Sequence, residues 1–156
     1  MNGIIKRIGS WLAAVLTTVI VGVFLQTQNV LARLGNIGAD IGFAERISMT
    51  LYDLRYLGSL YVIFVSMALA AAFLVGGLVF RFTKFGRPLI YTVAGATALL
   101  VMLFGMKQAF FDIHMIAGAR DALGIAMQML AGAVGGFVFA RVSRRKEKAP
   151  ASQAEA

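Results

Sequence analysis

Four long apolar runs, at 8–25, 59–80, 89–106 and 122–140, alternate with shorter polar stretches, and none of the four contains a charged residue. Built as helices, runs of this length reach roughly 27–33 Å, the thickness of a bilayer's hydrocarbon core. Backbone groups in lipid must be satisfied within their own segment, which selects helices over open strands. The pattern therefore predicts an all-α integral membrane protein, with four transmembrane helices packed as a small bundle. The membrane domain covers 1–140, with extracytoplasmic loops at 26–58 and 107–121. A basic cytoplasmic tail that becomes small, polar and disordered covers 141–156.

Inside the first loop, Phe43, Ile47, Leu51 and Leu54 recur near helical spacing, while Glu45, Arg46, Thr50 and Asp53 fall mostly elsewhere on the wheel. This predicts a short interfacial amphipathic helix. Gly35, Gly38 and Gly42 make the approach to it turned or flexible. Tyr52, Tyr56 and Tyr61 read as an aromatic belt at that interface. Pro88 suits the first turn of the third helix, and Asp121 suits the N-cap of the fourth. The first run has a rival reading as a cleavable signal peptide ending at Ala32. Its length favours a permanent anchor, since signal cores run about 7–15 residues.

Composition strengthens the membrane assignment. Of 156 residues, 60% are hydrophobic and 14% charged, too few polar groups to cover a soluble surface. The formal net charge of +8 is explained by where the cations lie. Lys6, Arg7, Arg81, Lys84, Arg87, Arg141, Arg144, Arg145, Lys146 and Lys148 fall on one side of the predicted membrane. Arg33, Arg46, Arg55, Lys107 and Arg120 fall on the other, among Asp40, Glu45, Asp53, Asp112 and Asp121. The positive-inside rule then places both termini in the cytoplasm. Basic segment ends imply contact with anionic lipid headgroups and not with nucleic acid. A compact, basic-tailed, cysteine-free chain fits a bacterial inner membrane.

Small residues recur every fourth position on three helices: Ser10, Ala14, Thr18 and Gly22; Ala68, Ala72 and Gly76; Gly132, Gly136 and Ala140. Small side chains let helix backbones approach closely where lipid supplies no hydrophobic drive. Gln128 lies on the fourth-helix stripe and is expected to make an interhelical hydrogen bond. Helix packing is thus assigned to Ala14, Gly22, Ala72, Gly76, Gln128, Gly132 and Gly136. Whether the stripes meet within one chain or between chains is left open.

Candidate chemistry is sparse. The chain has no cysteine and one histidine, which removes disulfide chemistry and a haem held between two histidines of this chain. Acid, base and imidazole gather only at Asp112, His114 and Arg120. Asp112 and His114 point about 200° apart on a helix, so the cluster is a weak candidate. No catalytic residue, metal ligand or cofactor is expected. Proton-coupled transport expects an ionisable group within the spans, and the spans have none. The expected role is non-enzymatic: an accessory, assembly or scaffold subunit of a membrane complex, bound to a membrane-protein partner or to copies of itself. The alternative is a homo-oligomeric carrier or flippase for an apolar or lipidic molecule.

Overall fold

A computed structural model of the chain describes residues 2–38, 41–83, 86–109 and 121–145. The regular structure of these residues is entirely helical: α1 Asn2–Asn36, α2 Phe43–Thr83, α3 Arg87–Ala109 and α4 Ala122–Arg145. All four are long and apolar enough to cross a membrane. Asp112, His114, Arg120 and the tail after Arg145 lie outside the described residues.

The helix ends follow local chemistry. Asp121 caps α4: its Oδ1 accepts the Gly124 N–H at 3.1 Å, and its carbonyl accepts the Ile125 N–H at 3.0 Å. Gly42 and Glu45 make half of a capping box, the Gly42 N–H donating to Glu45 Oε2 at 3.2 Å. The α1 exit turns through Gly38 at φ 90°, a conformation glycine adopts without strain. Pro88 occupies the first turn of α3, and the carbonyl of Gly86 accepts the N–H groups of Leu89 and Ile90.

Two helices outrun the apolar pattern. The stretch 26–58, expected to be a loop holding a separate short helix, is mostly helical. α1 continues through it to Asn36, and α2 begins at Phe43 and runs unbroken for 41 residues, roughly 61 Å. The cause is long-range. Leu31 of α1 is fully buried, and Thr27 bonds Asp53 of α2, so each helix gives the other a partner beyond its apolar run. No proline interrupts either segment.

Chain neighbours pack antiparallel, and α4 packs on α1 to close a ring, with α2 and α4 on the diagonal. The core runs through Val19, Val23, Val65, Leu69, Leu99 and Met102. Near the Arg81/Arg87/Arg141 end, Phe73, Tyr91 and Phe139 tie α2, α3 and α4 together. Phe73 and Phe139 stack with centroids 4.3 Å apart, and Tyr91 meets Phe139 edge-on at 4.9 Å. The surface is inverted relative to a soluble bundle. On α1, Ser10, Ala14 and Thr18 are fully buried while Ile8, Leu12, Leu16 and Ile20 are about half exposed. Small and weakly polar residues face inward and large apolar ones face outward, as lipid as solvent requires.

Candidate functional site: a polar clasp between close-packed helices

Glycine decides how near the helices come. A Cβ built on Gly95 of α3 would strike the backbone of Gly132 in α4, and one on Gly132 would strike Gly95 in return. One turn further along, a Cβ on Gly136 would overlap the Tyr91 carbonyl. On the opposite side of α4, a Cβ on Gly135 would meet the Thr18 hydroxyl and, at 3.0 Å, the Ala14 carbonyl of α1. The α4 backbone thus lies against α3 on one face and α1 on the other. Gly76 of α2 faces Ala94 and Tyr91 at ordinary contact distance, near 3.4–3.5 Å for an added Cβ. Ala72 is half-buried in the lining of an open groove between α2 and α3.

Beside these contacts sits a buried amide within the fourth apolar run. Gln128 is 1% exposed. Its Oε1 accepts the Tyr61 hydroxyl proton at 2.5 Å, and its Nε2 donates to the Gly22 carbonyl at 3.2 Å. One amide therefore joins α1, α2 and α4. Gly22 makes room for it, since a Cβ there would lie 2.9 Å from Tyr61 Oη and 3.1 Å from Gln128 Oε1. Such interhelical bonds contribute about 0.6 kcal/mol on average and up to about 1.7.

Tyr61 corrects the sequence reading. Tyr52 and Tyr56 are 63% and 59% exposed, as belt residues would be, but Tyr61 is 4% exposed. The available signal was its place in the seam Gly58, Tyr61, Val65, Leu69, Phe73 and Gly76, the buried residues of α2. Gly95 and Gly135 were missed because each stands outside the four-residue stripes read from the sequence.

A second polar layer lies at the Asp121 end. Arg33 of α1 forms an ion pair with Asp121, and a side-chain hydrogen bond from Asn29 joins it. On the neighbouring side, the Thr27 hydroxyl lies 2.8 Å from Asp53 Oδ2 and 2.9 Å from the Val23 carbonyl. Partial burial pushes the Asp121 carboxyl upward. The Gly124 N–H, the Arg33 charge and the Asn29 bond outweigh it, leaving Asp121 below the ordinary carboxylate range. The folded value lies below the unfolded one, so this stabilisation is full at neutral pH. It is lost as pH falls through the folded value, below about pH 4. Asp121→Asn keeps the cap and removes the charge. Its melting temperature is expected to fall below wild type at about pH 7 and to converge with it below about pH 4. Parallel curves across that range would mean the charge contributes nothing.

At the opposite end, Arg87 Nη2 donates to Ser143 Oγ at 3.0 Å, and its guanidinium lies over the Phe80 and Tyr91 rings at 5.9 and 5.8 Å. Between α2 and α3 an apolar groove of about 860 Å³ opens outward. Among the described residues no group of three or more His, Cys, Asp or Glu side chains is arranged to hold a metal ion. No protein-family model matches the chain, and no curated protein or solved structure shows significant similarity to it.

Proposed function

We propose that this multi-pass membrane protein is a non-enzymatic accessory, assembly or scaffold subunit of a membrane complex. The carrying observation is the use made of Gln128. Both ends of its amide are engaged by Tyr61 and Gly22, so this buried amide of α4 holds helices together and is not left for a substrate. An amide shared by three helices and backbone-to-backbone glycine contacts suit a rigid part. A transporter cycling between two packings would have to break both.

In this reading the protein sits in a bacterial inner membrane with both termini in the cytoplasm, supported by the cation asymmetry. The first three turns of α2 lie at the extracytoplasmic interface, where Phe43 and Leu51 are exposed. α1 remains in the mature protein, because losing it would strip Gln128 of its Gly22 acceptor. Partners are a membrane protein and anionic headgroups, with no nucleic acid. Reporter fusions after Gly38 and Arg120 are expected to read extracytoplasmic, and those after Lys84 and Lys148 cytoplasmic. A cytoplasmic signal after Gly38 would overturn the orientation.

The second reading, a homo-oligomeric carrier or flippase for an apolar or lipidic molecule, draws support from the open α2–α3 groove. Purification in mild detergent separates the two. A stoichiometric foreign subunit supports the accessory role, and a homo-oligomer that moves labelled lipid between vesicle leaflets supports the carrier.

A further inference from the structure

Past their apolar runs, α1 and α2 continue side by side, and a crevice of about 310 Å³ lies between them there. Its α1 wall comes from Thr27 and from residues three, four and seven positions on, which share one helix face. Its α2 wall is two adjacent pairs one turn apart, Ser48 with Met49 and Tyr52 with Asp53. The helices are antiparallel, so Thr27 and Asp53 meet at the end nearer the spans. Leu34 and Ser48 stand at the other end, roughly 10 Å away along α1. Val30, Leu31, Leu34 and Met49 give the crevice an apolar side, of which Leu31 is 1% exposed. The volume is at the low end of the range for small-molecule sites, about 300–1,000 Å³.

One charged group stands in this lining. Asp53 is half-buried, and among the described residues only the Thr27 hydroxyl bonds its carboxylate, at 2.8 Å. That hydroxyl has one proton and a second acceptor, the Val23 carbonyl at 2.9 Å. A carboxylate offers about four lone-pair sites, so most of its capacity is left for other donors. The cations nearby do not supply them. Arg33 is paired with Asp121, Arg55 lies over the Tyr56 ring at 6.0 Å, and neither they nor Arg46 line the crevice. Ser48 and Tyr52 add two hydroxyls to the lining. A calcium ion takes about 6–8 oxygen ligands and gains nothing from an apolar wall. One carboxylate, hydroxyls and a hydrocarbon side suit instead a cation with several N–H donors and a short apolar body.

We infer that the α1–α2 crevice binds an aliphatic primary ammonium, its N–H groups bonding Asp53 and its hydrocarbon lying against Leu31, Leu34 and Met49. Soluble alkylamines and the ethanolamine headgroup of a phospholipid share this chemistry. The inference does not rest on the accessory role, since it requires no partner subunit.

The test is a saturation-transfer NMR titration of the full chain in an uncharged detergent, with n-butylammonium or n-butanol as probe. The ammonium is expected to bind roughly fivefold more tightly, the effect of a hydrogen-bonded charge pair discounted for partial exposure. Asp53→Asn, which keeps an acceptor for Thr27, should erase that preference. Ser48→Phe, which fills the crevice from an exposed position, should reduce binding of both probes to the level of empty micelles. Equal binding of ammonium and alcohol, an unchanged preference in Asp53→Asn, or full retention in Ser48→Phe would each overturn the assignment. Melting temperatures show whether each variant is folded, and if Asp53→Asn is not, Ser48→Phe alone decides. Native mass spectrometry then separates the sources of the ammonium. Retention of phosphatidylethanolamine over phosphatidylcholine, lost in Asp53→Asn, assigns the lipid headgroup, and equal retention of the two lipids assigns a soluble amine.

Discussion

Gly136→Ala is expected to cost about 3 kcal/mol and lower the melting temperature in detergent by roughly 5–10 °C. The added methyl would sit on the Tyr91 carbonyl, 2.7 Å from its carbon and 3.1 Å from Thr92 Cα. These are backbone atoms, so no rotamer change relieves the clash. α3 and α4 must separate, which also strains the Gly95–Gly132 approach one turn away. Gly136→Leu should be worse for packing yet still insert, since leucine is favourable in lipid. Gly9→Ala is the control: nothing lies within 4 Å of its added Cβ, and alanine is the better helix former by about 1 kcal/mol. If Gly136→Ala and Gly9→Ala melt alike, the close approach of α3 and α4 does not exist in the membrane.

The second large effect is expected at the Gln128 clasp. Gln128→Leu removes two hydrogen bonds and leaves the Tyr61 hydroxyl buried without its partner, a loss of about 1–3 kcal/mol. Tyr61→Phe leaves the Gln128 oxygen unsatisfied instead and should cost about 1–2 kcal/mol. The double variant should lose clearly less than the sum, because the second change removes a group that the first has orphaned. Melting temperatures of the four proteins in one detergent give the coupling directly. Strict additivity would mean that the two side chains do not meet, and the three-helix clasp would be withdrawn.

Much of this was readable in the chain because lipid imposes so few solutions. The four spans follow from charge-free runs, since any other backbone arrangement leaves amides unpaired in hydrocarbon. The inward face of α1 was visible as Ser10, Ala14, Thr18 and Gly22. The buried place of Gln128 was visible from its position on the Gly132/Gly136 stripe. Asp121 was legible as a cap because capping depends only on a few neighbouring residues.

Partnership was not legible. The sequence set Tyr61 beside Tyr52 and Tyr56, and only the approach of α2 to α4 turned it inward to Gln128. The stretch 26–36 looks polar enough for a loop, and 43–54 reads as a short helix separate from the second span, not as its extension. Both run on as extensions of α1 and α2 where Thr27 meets Asp53, 26 positions away, and Leu31 is buried. Gly95 carries no stripe of its own, so its role exists only once Gly132 lies against it.

The sequence by itself determined that the chain has four apolar helices, where each one's lipid-length core lies, and which residues are small enough for close packing. These are properties of single segments, fixed by transfer of each side chain and amide out of water. The tertiary structure alone decided that the first and fourth stripes close on neighbours within the same chain, that Gln128 joins three helices, and that α2 and α3 part to leave an apolar groove. Those features depend on which faces meet across the bundle, and periodicity along one helix holds no information about its neighbour.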